Sequence, residues 1–227
     1  MRGGDVARAA RYAGPRPKAL IFDWDNTLVD TWTVIHRALV PTFEAMGHVP
    51  WTLEEVRQRV RGSARDSFPQ LFGARAEEAT KLFYATFESC HLERLTPLPG
   101  AERMLAALAA AGLDLGVVSN KTGRYLRLEA EHLGWSRHFR RVIGATDAAR
   151  DKPACDPVFM ALEEGPVGPG EEVWFVGDTD VDMQCAVAAG CVPVLLRAEA
   201  PEAAEFSGCR PVLHVVSCDE LADLLVP

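Results

Sequence analysis

A chain of 227 residues is long enough for one large α/β domain, or for one domain carrying a smaller insert. Its apolar share of 48% and charged share of 25% are those of an ordinary globular protein. A net charge of −8 argues against a general nucleic-acid binder, which needs a basic face. An anionic substrate stays open, because one lysine or a metal ion can reverse the local potential.

The six cysteines (Cys90, Cys155, Cys185, Cys191, Cys209 and Cys218) are scattered. They form no C-x-x-C pair and have no His-rich cluster beside them, so neither a zinc site nor a disulfide framework is supported. Free thiols in a reducing cytoplasm are the simplest expectation. No stretch approaches the roughly 18 consecutive apolar residues of a membrane span, and no membrane partner is expected. Residues 1–17 carry Arg2, Arg8, Arg11 and Arg16 with no apolar segment after them, and read as a flexible leader. A transit peptide is the alternative, against which stand Asp5 and the lack of Ser and Thr.

The first element is the apolar run Ala19-Leu-Ile-Phe22, bounded by polar residues and read as a buried strand of parallel type. Asp23 and Asp25 follow where that strand ends, with the hydroxyl of Thr27 two residues on. Open α/β sheets bind ligands at the carboxyl ends of strands, where the strand order reverses. Two acids there are costly unless a cation or substrate needs them; an acidic turn is the alternative.

Residues 33–95 change character. Val34, Ile35, Ala38, Leu39, Thr42 and Phe43 recur at helical spacing up to Gly47. A second helix is expected from Thr52, with Glu54 and Glu55 in its first turn. Further helices are expected over Ser67–Phe72 and Ala76–His91, where Phe83, Phe87 and Cys90 share one face. No period-two run interrupts them, so the segment reads as an all-helical insert.

From Thr96 helix and strand alternate. The predicted order is a helix over Ala101–Ala111, a strand over Leu113–Val118 ending at Ser119-Asn120-Lys121, and a helix over Gly123–Leu133. A strand over Phe139–Ile143 leads to the loop holding Asp151-Lys152-Pro153, then a helix over Asp156–Glu164. A strand over Val173–Val176 ends at Gly177-Asp178-Thr179, followed by a helix over Asp182–Ala189 and a strand over Val192–Leu196. A last strand near Val212–Val216 and a helix from Asp219 to Leu225 close the chain. This alternation predicts βαβ units in a Rossmann-like, doubly wound parallel sheet with helices on both faces. The expected division is a leader over 1–17, an α/β core over 18–32 and 96–227, and a helical cap domain over 33–95. In a parallel sheet Asp23 and Asp25, Ser119 and Asn120, Lys152, and Asp178 and Asp182 converge on one edge.

With those residues in place the chain resembles the haloacid dehalogenase superfamily, in the subgroup with a helical cap between its first two motifs. Asp23-Trp-Asp-Asn-Thr-Leu-Val-Asp30 matches D-x-D-x-T-L-V-D, Leu115–Asn120 the second motif, Lys152-Pro153 the third, and Gly177-Asp-Thr-Asp-Val-Asp182 the fourth, G-D-x-x-x-D. The resemblance implies an enzyme that hydrolyses a small phosphorylated metabolite, similar to phosphoglycolate phosphatase or acting on a sugar phosphate. It implies Asp23 as nucleophile forming an aspartyl-phosphate and Asp25 as general acid and base. It implies Thr27, Ser119, Asn120 and Lys152 around the phosphate. Magnesium would be held by Asp23, the Asp25 carbonyl and Asp178, with Asp182 assisting from behind. Taken alone, Ser119-Asn120 could instead cap the following helix, and Asp182 could be a first-turn acid. Lys121 and Arg124 could approach a substrate, but a solvated helix start is the preferred reading.

In the segment Arg61–Ser67, Arg65 is the candidate cap residue for substrate, with a solvated arginine as the alternative. Many relatives have Gly where this chain has Asn26, and Asn tolerates left-handed backbone. The rival function is a phosphomutase of the β-phosphoglucomutase type. Those mutases carry a His where this chain has Ile35, His36 being one place off. Halide release is disfavoured because dehalogenases do not use the second acid. A non-catalytic binding protein on the same fold is opposed by the intact acid set.

Overall fold

The computed structural model describes residue 12 and residues 14–202, 205–206 and 208–226. Most of the leader expected over 1–17 therefore lies outside the described residues. Tyr12 packs edge-on against Trp174, with ring centroids 5.1 Å apart.

Eight strands are described. Six of them, β1 (Ala19–Phe22), β4 (Asp114–Thr122), β5 (Arg141–Ala145), β6 (Val173–Gly177), β7 (Val192–Leu196) and β8 (Leu213–Val215), form one parallel sheet in the order β5-β4-β1-β6-β7-β8. The chain moves outward from β1 in both directions, so the reversal of strand order flanks β1, where a doubly wound sheet opens its crevice. Side chains alternate along the strands. Leu20 and Phe22 join Leu115, Val117 and Val176 on one face; Ala19 and Ile21 join Val118, Val173 and Phe175 on the other.

Four helices, α1 (Trp32–Met46), α2 (Leu53–Arg59), α3 (Ala64–Phe72) and α4 (Ala76–Glu88), lie between β1 and β4. The short strands β2 (Val29–Asp30) and β3 (Thr96–Pro97) pair antiparallel and clip together the two ends of this helical segment. Neither was read from the sequence, because two residues give no periodicity. The helices bury a core of their own, built on Val34, Leu39, Phe43, Phe68, Phe83 and Phe87. Tyr125 joins that core from α6 (Gly123–His132), stacking on Tyr84 at 5.0 Å. The remaining helices are α5 (Ala101–Ala110), α7 (Asp156–Leu162), α8 (Asp180–Ala188) and α9 (Cys218–Leu225).

Among the boundaries that differ from expectation, two bear on the site. β4 runs on to Thr122, past the end of its apolar run at Val118, with an irregularity between those residues. The Ser119 hydroxyl accepts from the Lys121 amide at 3.2 Å, and the cap position of α6 falls to Thr122, so Ser119-Asn120 does not cap that helix. α3 starts at Ala64, because the Ser63 hydroxyl accepts from the Asp66 amide at 3.3 Å. Close packing of α6 on β5 depends on paired glycines. A Cβ on Gly144 would lie 2.4 Å from the Gly123 Cα. Gly144→Ala is expected to lower unfolding free energy by about 1–3 kcal/mol in urea titrations, because backbone must move to admit it.

Candidate active site

Asp23 leaves the end of β1 with its amide donating to the Val176 carbonyl at 2.8 Å, which fixes its backbone against β6. The Lys152 ammonium, brought in by the loop after β5, donates to Asp23 Oδ1 at 2.6 Å and to Asp182 Oδ1 at 2.7 Å. Both ends of this bridge are buried. The other Asp182 oxygen accepts from the Thr179 amide at 3.0 Å and hydroxyl at 2.7 Å, so Asp182 caps α8 and holds Lys152 at once. Gly177 is required beside it: a Cβ there would meet the Asp182 side chain at 2.4 Å.

Asp178 follows directly on β6, and oxygens of Asp23, Asp178 and Asp182 lie within 4.8 Å of one another. Three acids so close share one ammonium. Burial pushes the Asp23 carboxyl up; Lys152 pulls it back, Asp182 and Asp25 push it up again, and it settles at about 7. Asp178 is raised well above the carboxylate range by burial, then by Asp182 and Asp23. Burial works against the Lys152 charge, but Asp182 and Asp23 outweigh it and raise that group. Lysine alone therefore does not hold Asp23 in the ordinary carboxylate range. A hard divalent cation fits this all-oxygen set, and its charge would complete the pairing that Lys152 begins.

A second ammonium serves the other acid. Lys121, expected at a solvated helix start, is buried, with its Nζ 2.7 Å from Asp25 Oδ1 and 2.5 Å from Glu129 Oε2. Glu129 also accepts from the Trp24 indole at 2.7 Å and from His91 Nδ1 at 2.8 Å. Burial pushes Glu129 up, but Lys121 and the hydrogen bonds from His91, Lys121 and Trp24 outweigh it and hold the group below its ordinary value. For Lys121, Asp25 and Glu129 overcome the burial penalty and raise the ammonium. The five side chains come from the end of β1, the end of α4 and its following turn, the end of β4 and the middle of α6. Arg124 does lie outside, paired with Glu88.

The expected site residues distribute as follows. Asp23, Asp25, Ser119, Asn120, Lys152, Asp178 and Asp182 all line one cavity. Thr27 does not: it is fully buried, and its hydroxyl donates to Asp178 Oδ1 at 3.3 Å. The Asn120 amide donates to the Lys152 carbonyl at 3.1 Å, which ties the end of β4 to the lysine loop. Arg65 sits on the first turn of α3 and pairs with the buried Asp151 at 2.6 Å, off the cavity wall, because Asp151 needs a cation there. Its neighbours Arg61, Gly62 and Ala64 line the cavity instead. Asn26 has φ +61°, its amide donating to the Val29 carbonyl at 2.6 Å, so the left-handed turn persists without glycine.

Lys121, Glu129, Trp24 and His91 were not recognised from sequence. The one available signal was Glu129, an acid on the apolar face of α6 beside Tyr125, Leu126 and Ala130. Glu129→Leu would leave the buried Lys121 ammonium with Asp25 alone and two ring donors without their acceptor. The expected loss is about 3–5 kcal/mol of unfolding free energy, read by chemical denaturation; a loss under about 1 kcal/mol would show the network to be slack.

Comparison with known proteins agrees with this geometry. A family model described as haloacid dehalogenase-like hydrolase matches residues 20–195. The phosphoglycolate phosphatase of Xylella fastidiosa (strain Temecula1) is 34% identical over 178 residues, 77% of each chain. A HAD-superfamily hydrolase structure from Ehrlichia chaffeensis superposes with TM-score 0.63 at 27% identity, covering 92% of this chain and 96% of the other. A haloacid dehalogenase-like family protein from Streptococcus pneumoniae has the same fold, with TM-score 0.79 at 22% identity over 91% and 97% of the two chains. On the matched residues and the site they build, the chain belongs to the haloacid dehalogenase-like hydrolases and resembles the phosphoglycolate phosphatases among them.

Proposed function

We propose that the protein is a magnesium-dependent phosphatase that hydrolyses a small phosphate monoester through an aspartyl-phosphate on Asp23. One observation carries the reading. Two carboxylates two residues apart stand in different surroundings, Asp23 against Lys152 and the acid cluster, Asp25 against Lys121. Such a split is what separate nucleophile and proton-transfer roles require.

In the first half-reaction an Asp23 oxygen forms a bond to phosphorus while the bond to the leaving oxygen breaks. Asp25 gives its proton to that oxygen, releasing the alcohol. In the second, Asp25 takes a proton from water as the water oxygen attacks phosphorus and the Asp23–phosphorus bond breaks. Phosphate leaves and Asp25 is again protonated. Ser119, the Asn120 backbone and Lys152 would hold the non-reacting phosphoryl oxygens, and that positioning supplies much of phosphoryl-transfer catalysis. Asp23, Asp178 and the Asp25 carbonyl would hold magnesium, which would supply positive charge against the phosphoryl oxygens. Asp182 would act from behind through Lys152, and Thr27 by orienting Asp178.

The helical segment 33–95 would act as the cap, closing the carboxyl edge against water. The mutase alternative is not favoured. Ile35, which has no proton to give, lines the cavity, while His36 Nε2 faces the Trp51 carbonyl at 3.1 Å. All six cysteines are unpaired, which supports a reducing cytoplasm as the working compartment. No helix of the described residues is long and apolar enough to cross a membrane.

Asp23→Asn is expected to lower phosphate release by about a thousandfold or more with the fold retained. Full activity in that variant would remove the nucleophile assignment, and a sustained isomeric product without free phosphate would favour the mutase. Magnesium at a hundred times its dissociation constant should stabilise the protein by about 2.7 kcal/mol in thermal unfolding. Asp178→Asn should lose most of that gain.

A further inference from the structure

Arg65 is taken by Asp151, but Arg61, just past the end of α2, stands on the cavity wall. It lines both the cavity over Asp23 and an adjoining cleft, and the two share Trp32, Asp178 and Thr179 with it. The cavity encloses about 290 Å³. That is the small end of ligand pockets, with room for a short chain beyond a phosphate.

The Arg61 guanidinium is anchored on one side only. Its Nη1 donates to the Arg57 carbonyl at 2.7 Å and the Val60 carbonyl at 3.1 Å, two of the acceptors left over where α2 ends. Among the described residues Nε and Nη2 make no hydrogen bond, and the one carboxylate within reach of an ion pair is that of Asp180, 3.9 Å from Nε. That is too long for a hydrogen bond. The other cations on the cavity wall stand closer to acids. Lys121 lies within 2.7 Å of Asp25 and Glu129, Lys152 within 2.7 Å of Asp23 and Asp182, and Arg59 is 3.0 Å from Glu55. Arg57, one helical turn before Arg61 and on the same cleft, pairs with no acid among the described residues and adds positive charge there.

The Nε–Nη2 edge of a guanidinium presents two parallel donors, a fork that matches two oxygens of a carboxylate or a phosphate. Asn120 Oδ1, buried on the cavity floor without a partner, is an acceptor and offers an anion nothing. We propose that Arg61 is a specificity-determining residue, whose open edge binds an anionic group, a carboxylate or a second phosphate, on the alcohol that leaves. Arg61 takes no part in bond making or breaking; it holds one end of the ester while Asp23 meets the other. The inference rests on the phosphatase reading and deepens it.

The test compares phosphoglycolate, its uncharged amide and ethylene glycol bisphosphate, which share a primary carbon on the ester oxygen, with p-nitrophenyl phosphate as the generic ester. In the wild-type enzyme kcat/KM for an anionic ester is expected to exceed that for the amide by about tenfold or more. Arg61→Ala should lower that ratio by about tenfold or more, chiefly through KM, whatever the absolute rates. Arg61→Lys, which keeps the charge and loses the fork, should fall between the two. The anionic ester that loses more in Arg61→Ala identifies the bound group as carboxylate or phosphate. A wild-type ratio near one, or a ratio that Arg61→Ala leaves unchanged, overturns the assignment of Arg61 and leaves the phosphatase standing. Hydrolysis of none of the esters, p-nitrophenyl phosphate included, overturns the phosphatase instead. In that event calorimetry with phosphoglycolate and the bisphosphate decides the role of Arg61: binding about tenfold tighter to the wild type than to Arg61→Ala supports it, and equal or absent binding rejects it.

Discussion

Lys152 is the contact on which the site depends. Its ammonium spans the end of β1 and the start of α8. Every acid it gathers is also tied to backbone or hydroxyl groups: Asp23 through its amide to β6, Asp182 to the Thr179 cap, Asp178 through Thr27. The crevice of a parallel sheet supplies the location, and the lysine makes three buried acids tolerable there. One ammonium cannot neutralise three carboxylates; burial first, and then the neighbouring acids, raise Asp23 and Asp178.

Lys121 repeats the arrangement one strand away, with a different result. It faces Asp25 on one side and Glu129 on the other, and Glu129 is held in turn by Trp24 and His91. His91 follows α4 and stacks on Phe87, so the network reaches from Asp25 into the helical segment above it. Two lysines thus divide the acids into separate groups. That keeps Asp23 and Asp25, neighbours but one in sequence, in distinct electrostatic surroundings.

The sheet and the acids at its carboxyl edge were legible because both leave local marks. An apolar run bounded by polar residues announces β1, and acids placed directly after strands announce the edge where they meet. What failed was information held across sequence distance. Lys121 follows an apolar run by three residues and looks like the start of a solvated helix. It is buried because Glu129, two helical turns later, and Asp25, nearly a hundred residues earlier, converge on it. Arg65 looked ready to reach substrate because small residues surround it; the cation it meets is a need of Asp151, buried by a loop far along the chain. Thr27 belongs to the first motif, yet its hydroxyl serves Asp178 from behind. In each case residue type was informative and the partner was not.

Charge also links the floor of the cavity to its walls. Asp23, Asp25, Glu129, Asp178 and Asp182 face Lys121 and Lys152, so five carboxylates meet two ammonium groups, a formal deficit of three with every acid ionised. A divalent cation would reduce the deficit to one, and a proton on one of the carboxylates would remove it. The low-dielectric surroundings that make the acid pairs strong make an unmatched charge expensive, so the tight pairing on the floor and its call for a cation follow from one cause.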